Sequence, residues 1–316
     1  MSETRVYAIP LHHRFRGITV REGMLLRGEA GWGEWSPFLE YEPVVAEPWL
    51  RCAEEAAAGD WPDPVRDSVP VNVTVPAVGP EVAHRIVRQG GCTTAKVKVA
   101  EPGQSLAEDQ ARVEAVRDAL GPSGRVRVDA NGAWSVDDAV EAIRLLNKAA
   151  SGLEYVEQPC AAVAELAAVR RAVDVPIAAD ESIRRVEDPH RVRDEEAADI
   201  AVLKVQPLGG VRACLRIAEE IGMPVVVSSA LETSVGIAAG VALAAALPSL
   251  PHACGLATVQ LLTADVAAEP LLPVDGALPV RVPTADPHAL DLLAATAERV
   301  AHWEARLAAA RAVRLP

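Results

Sequence analysis

A (β/α)8-type barrel with an α+β capping domain formed by both chain ends is the fold this α/β sequence predicts, and three observations predict it. Residues 69–264 alternate strand-like and helix-like runs, the two ends do not, and carboxylates or lysines close the middle strands at regular intervals. The 316 residues suit a barrel of about 200 to 250 residues plus an addition. Half of the residues are hydrophobic but only 3% are aromatic, so Val, Leu and Ala must fill most of the core.

From the N-terminus, residues 5–10, 17–20 and 24–29 read as short strands. Residues 31–38 form a loop rich in Gly, Trp and Pro, and 43–58 a helix stopped by Gly59. The tail has the same texture: 270–282 predict a hairpin turning at Asp275-Gly276, and 285–314 a mostly helical run. Neither junction carries a long flexible linker, so residues 1–68 and 265–316 are expected to pack as one cap against a barrel of residues 69–264.

Within the middle segment, strands are predicted at 71–75, 94–99, 125–129, 153–157, 177–179, 200–205 and 224–228, with an eighth at 253–256. Helical runs separate most of them, among them 81–89, 105–120 and 135–148. The Ala-rich run 235–250 contains Gly236, Gly240 and Pro248 and reads as a buried barrel helix. No repeat is visible beyond this architectural period. A doubly wound open sheet is the structural alternative, but no GxGxxG follows the first strand, and Gly90-Gly91 precedes its strand instead.

Parallel barrels build active sites at the C-terminal ends of their strands. In RVRVDANGAW, residues 125–134, Val126 and Val128 alternate with Arg125 and Arg127, Asp129 ends the strand, and Asn131-Gly132 breaks it. Lys96 and Lys98 close the strand before, Glu157 and then Asp180 with Glu181 close the next two, and Lys204 the one after. Ser228 and Ser229 follow on the seventh. From Lys98 through Asp129, Glu157 and Asp180 to Lys204 the spacings are 31, 28, 23 and 24 residues, each about one βα unit. A turn cap explains a single such aspartate. Three carboxylates on consecutive strands instead suit a hard divalent cation, Mg²⁺, with water and substrate oxygens completing its shell.

Lys96 and Lys98 are two residues apart on one strand and share a face, which in a barrel is open to the interior. Lysines are seldom buried without partners; a snorkelling rim lysine is the alternative for any one of the three. A cation beside lysines suits removal of a proton α to a carboxylate, which creates an enediolate with a second negative charge. The base must be a neutral lysine, and nearby positive charge and burial both favour that state.

With these residues in place the chain resembles the muconate-lactonising subgroup of the enolase superfamily, whose known chemistry pairs a lysine base with a divalent metal. It is most similar to the o-succinylbenzoate synthases of menaquinone biosynthesis. TAKVKV carries a KxK element at Lys96 and Lys98, VDANGAW the first metal ligand at Asp129, YVEQP the second at Glu157 and ADES the third at Asp180. LKVQPLGG carries the opposing lysine, Lys204. The resemblance spans nearly the whole chain. It implies a modified TIM barrel, Mg²⁺ as cofactor, and a hydro-lyase that dehydrates 2-succinyl-6-hydroxy-2,4-cyclohexadiene-1-carboxylate to 2-succinylbenzoate. It further implies that Lys98 takes the α-proton and returns it to the departing hydroxyl. Lys204 stays charged, and Lys96 holds the substrate carboxylate or tunes Lys98.

The same subgroup supplies a rival, N-succinylamino acid racemisation, in which Lys98 and Lys204 act as bases on opposite faces. A catalytically silent barrel serving as a binding protein is a rival of another class. Dipeptide epimerases of the subgroup resemble one another in a DxD element after the eighth strand, where this chain has Gly255-Leu256-Ala257-Thr258. Residues 12–23, HHRFRGITVREG, resemble the loop that closes over substrate; Arg16 there either meets a substrate carboxylate or belongs to an exposed basic loop. Asn131 is a further candidate substrate contact. Ser228 and Ser229 either donate to a succinyl carboxylate or form a plain turn.

Composition narrows the partners. The net charge is −13 with basic residues scattered among acids, so neither nucleic acid nor an anionic membrane surface is expected; the small carboxylate substrate is what the resemblance implies. Cys52, Cys92, Cys160, Cys214 and Cys254 are far apart and show no CxxC or zinc spacing, which predicts reduced thiols and a cytoplasmic location. Residues 1–10 lack a charged region leading into an apolar one, and no uninterrupted apolar run reaches about 18 residues. Oligomeric state is not legible in the sequence.

Overall fold

The computed structural model describes residues 3–183 and 188–314. The chain opens with an antiparallel hairpin of β1 (Thr4–Phe15) and β2 (Ile18–Arg27), which turns at Arg16-Gly17 with φ of 51° and 81°. β1 is longer than the strand expected at 5–10. It continues through the polar run HHRF because that part alternates between half-buried Leu11, His13 and Phe15 and exposed His12 and Arg14. β3 (Trp32–Trp35) pairs with β2 to complete a three-stranded sheet. α1 (Pro43–Ala58) begins with proline in its first turn and stops at Gly59, whose φ is 72°.

A two-stranded link joins the ends of the chain, β4 (Ser68–Pro70) lying antiparallel to residues 277–279. The barrel then runs β5 (Val73–Val75), α2 (Pro80–Gly90), β6 (Thr94–Lys98), α3 (Leu106–Leu120), β7 (Arg125–Asp129) and α4 (Val136–Ala149). It continues with β8 (Leu153–Glu157), α5 (Val163–Ala172), β9 (Ile177–Ala179), α6 (Asp188–Asp194), β10 (Ile200–Lys204), α7 (Val211–Ile221), β11 (Val225–Ser228) and α8 (Ser234–Ala246). β5 to β11 form one parallel sheet in sequence order. The eighth strand expected at 253–256 is reduced to Cys254 and Gly255, which still bridge both edges. Cys254 pairs with Val71 and Gly255 with Ser228, through Asn72 N to Cys254 O (3.0 Å) and Gly255 N to Val227 O (2.8 Å). Pro251 just before it cannot donate to a ladder, and Gly255 has no side chain to pack.

The tail contains β12 (Ala277–Pro279), α9 (Pro287–Leu292) and α10 (Ala297–Ala312). The hairpin expected at Asp275-Gly276 is present as a tight turn bridged from Val274 to Ala277. Trp303 of α10 packs edge-on against Trp35 at 5.4 Å and shares a core with Trp49, Leu50 and Leu307. Its indole donates to Glu22 Oε2 at 3.0 Å.

Two carboxylates of the N-terminal segment seat it on the barrel by capping barrel helices. Glu55 accepts from the backbone of Val211 and Arg212 at the start of α7. Glu34 accepts from Thr233 N and Gly236 N at the start of α8, both at 3.1 Å, and from Tyr7 OH and Ser36 Oγ. A Cβ on Gly210 would lie 2.3 Å from Glu55 Oε2, so the capping approach requires glycine there.

Period-two alternation sorts the barrel strands. Val97, Val126, Val128, Val156, Ala201, Leu203, Val225 and Val227 pack outward into the helix-facing core. Tyr155, Ala178, Ile200, Val202 and Val226 form a separate interior cluster. Arg127 is fully buried, although its alternation with Val126 had grouped it with exposed Arg125. It donates to Glu154 (2.6 Å), Tyr155 OH (3.0 Å) and Ala253 O (2.7 Å) as a polar plug beneath the mouth. Burial works against the Glu154 charge, but His252 and Arg127 bring its pKa down to about 2.

Candidate active site

The interior residue at each strand end follows from this alternation, and the ends form one ring: Thr74, Lys96 and Lys98, Asp129, Glu157, Asp180, Lys204 and Ser228. Lys98 and Asp129 are register partners across β6 and β7, as are Asp129 and Glu157 across β7 and β8. Lys96 Nζ lies 2.7 Å from Glu157 Oε1 and 3.4 Å from Asp129 Oδ2. Lys98 Nζ lies 2.6 Å from Asp129 Oδ2 and 2.5 Å from Asn131 Oδ1. Lys204 pairs with Asp180 on the other side of the ring.

Burial disfavours the Lys96 ammonium, but Glu157, Asp129, Tyr155 and Asp180 outweigh it and hold the group protonated. Asp129 shows the converse balance: burial opposes its charge, yet Lys98 and Lys96 keep it ionised well below the usual carboxylate range. Glu157 is pushed upward, chiefly by burial and then by its neighbours Asp129 and Asp180, against the pull of Lys96.

Asp129 also caps its turn, accepting from Asn131 N at 3.0 Å, so the turn role and the ion pair coexist on its two oxygens. Asn131 takes a left-handed conformation (φ 48°) and spans from Lys98 to Glu181, donating to Glu181 Oε1 at 3.1 Å. Sequence reading missed Gln158, which ties the Glu157 and Asp180 strand ends together. Its buried side chain accepts from Asp180 N (2.9 Å) and Ser182 N and donates to Ser182 Oγ (2.7 Å) and Cys160 O. An amide directly after a strand-end carboxylate was the only available signal.

Three carboxylates from consecutive strands are a donor set for a hard cation, and Glu157 Oε2 is buried with no hydrogen-bond partner among the described residues. As the side chains lie, however, no three metal-ligating groups converge among the described residues. Each carboxylate instead points an oxygen at a lysine.

Above this ring is a chamber with about 40 Å³ of free volume. Lys96, Lys98, Asp129, Asn131 and Lys204 face Ser228, Ser229 and Thr258 across it, and Phe15, Arg16 and Phe38 of the N-terminal segment close it. Arg16 reaches the chamber from the hairpin tip, donating to Tyr41 OH and lying over Phe38. Ser229 Oγ and Thr258 Oγ1 are 2.6 Å apart. A Cβ on Gly255 would lie 2.6 Å from Ser228 Oγ, so glycine keeps that hydroxyl free to face the chamber. An antechamber of about 270 Å³, lined by Arg14, Arg16 and Gln104, adjoins it beside Lys98. A larger cavity of about 600 Å³ between α2 and residues 259–265 meets the chamber only at Thr74 and holds none of the strand-end charges.

Residues 80–286 match the enolase C-terminal domain-like family and residues 6–57 the enolase N-terminal domain-like family. The chain is 70% identical to the o-succinylbenzoate synthase of Thermobifida fusca (strain YX), covering 98% of this chain and 96% of that one. It is 58% identical to the o-succinylbenzoate synthase of Mycolicibacterium smegmatis, covering 99% and 96%. Among solved structures, the L-Ala-D/L-Glu epimerase of Bacillus subtilis superposes with a TM-score of 0.78 at 25% identity, covering 90% of this chain and 97% of that one. Muconate lactonizing enzyme of Pseudomonas fluorescens shares the fold with a TM-score of 0.80 at 24% identity, covering 93% and 98%. The chain belongs to the enolase superfamily and, within it, to the family of the o-succinylbenzoate synthases.

Proposed function

We propose that this chain dehydrates 2-succinyl-6-hydroxy-2,4-cyclohexadiene-1-carboxylate to 2-succinylbenzoate, the o-succinylbenzoate synthase reaction of menaquinone biosynthesis. The observation that carries the reading is the 58 to 70% identity, over nearly the whole chain, to relatives bearing that name. Lys98 and Lys204, which line one chamber, support it chemically.

In our reading Lys98 Nζ removes the proton α to the ring carboxylate. The resulting ammonium then protonates the hydroxyl, which leaves as water while the ring becomes aromatic, so one lysine serves both transfers and is regenerated. Asn131 Oδ1 and Asp129 Oδ2 orient Lys98 from two directions. Lys204 remains an ammonium and stabilises the enediolate from the other face. Lys96, held protonated, meets the substrate carboxylate or tunes Lys98. Asp129, Glu157 and Asp180 are the ligands we assign to a divalent cation, Mg²⁺, which when bound supplies electrostatic stabilisation for the second negative charge. Arg16, Ser228 and Ser229 are assigned to the rest of the substrate, whose bulk needs the antechamber as well as the chamber.

We take residues 1–68 and 265–316 as the two parts of the cap and 69–264 as the catalytic barrel, supported by the shared core of Trp35 and Trp303. A cytoplasmic setting is supported by five buried, unpaired cysteines. No helix among the described residues is long and apolar enough to cross a membrane.

The same two lysines also fit N-succinylamino acid racemisation. Assay of the purified protein with both substrates and Mg²⁺ separates the readings: efficient dehydration with slow racemisation supports the synthase, and the reverse replaces it.

A further inference from the structure

We infer that Arg21, a residue of the capping sheet outside the reaction chamber, positions the chamber wall made by Phe38 and the turn at residues 229–231, and thereby sets substrate fit. The inference rests on the synthase reading above. Arg21 is 2% exposed and does not line the chamber, yet it contacts three residues that do. Its Nε donates to Leu231 O at 2.8 Å and its Nη2 to Ala230 O at 3.3 Å. The guanidinium lies 4.5 Å from the Phe38 ring centroid, on the ring that Arg16 also covers. Its remaining donors hold Ser36 O and Glu22 O, tying the wall to β2 and to the segment after β3.

The turn does not hold this shape alone. Leu231 sits at φ 68°, a left-handed conformation unfavourable for a branched aliphatic residue. Arg21 donates to both neighbouring carbonyls of the turn, Ala230 O and Leu231 O. From the other side Glu232 accepts from Ala230 N at 2.7 Å, so the same peptide segment is gripped at its N–H and at its carbonyls. Only a planar fork can donate to Leu231, Ala230 and Ser36 while stacking on Phe38; an ammonium on a flexible stem cannot do all of these at once. Arg21 is thus a positioning residue. It touches neither the lysines nor the carboxylates of the site, so its loss should weaken fit without impairing proton transfer at Lys98.

The test compares wild type with Arg21→Met and Arg21→Lys, each first matched for folding by circular dichroism. The expected result is a KM for the cyclohexadiene substrate raised about tenfold or more in Arg21→Met with kcat within about threefold, and a smaller KM rise in Arg21→Lys. Hydrogen exchange read by mass spectrometry should show the 229–232 amides exchanging about tenfold faster in Arg21→Met, with β7 and β8 unchanged. A fall in kcat at unchanged KM, or unchanged exchange in the turn, would overturn the inference. If wild type fails to dehydrate the substrate, the synthase reading falls, and the exchange comparison alone still decides whether Arg21 holds the wall. If Arg21→Met does not fold, Arg21→Lys carries both measurements with the same criteria.

Discussion

Lys96 and Glu157 form a buried ion pair of 2.7 Å beneath the reaction chamber, while the second oxygen of Glu157 has no partner among the described residues. A carboxylate held this way has one oxygen committed and one available to a cation. Glu157→Gln keeps the shape and removes the charge. Calorimetric titration with Mg²⁺ should show affinity weakened by about tenfold or more, with the metal-free fold retained. Unchanged affinity would remove Glu157 from the ligand set.

Glu34 accepts from Tyr7, Ser36, Thr233 and Gly236, and so holds the cap to the first turn of α8. Glu34→Ala leaves several buried donors without acceptors. It should destabilise the protein by about 2 to 4 kcal/mol, read from urea unfolding, with Glu34→Gln costing less. An unchanged unfolding midpoint would contradict the capping role.

The pH dependence of stability should carry the signature of Glu232. Burial, reinforced by the charge of Glu34 and opposed by Arg21, pushes its pKa up to about 7. Below about pH 4.5 the group is protonated in both folded and unfolded chains and costs nothing. As pH rises toward 7 the unfolded chain ionises first, so stability falls, by on the order of 3 kcal/mol once pH passes 7. Glu232→Gln should therefore melt higher than wild type at pH 8 and equal it near pH 4.5. A difference that persists at low pH would point to a lost contact in place of titration.

The barrel and its ring of charges were legible because strand ends bearing one charged residue recur at about one βα unit, from Lys98 to Lys204. The period-two pattern does not say which face is interior, however. Arg127, two residues before Asp129, is on the same face and is buried inside the barrel against Glu154 and Tyr155. β1 ran further than its apolar residues indicated because half-burial on a hairpin does not demand hydrophobic residues. The eighth strand shrank to Cys254 and Gly255 because two hydrogen-bonded edges hold it without side-chain packing. Gln158, Glu34 and Arg21 act through contacts made only once distant segments meet, as when Arg21 reaches Leu231, and no local pattern reports that.

Single-turnover dehydration of the cyclohexadiene substrate by wild type, Lys98→Ala and Lys204→Ala tests whether Lys98 alone carries the proton. Lys98→Ala should lose about 10³-fold or more, because both proton transfers pass through it. Lys204→Ala should lose less and retain measurable dehydration, since only charge stabilisation is removed. Full dehydration by Lys98→Ala would contradict the mechanism, since Lys96, the neighbouring lysine on that strand, is held protonated by Glu157 and Asp129.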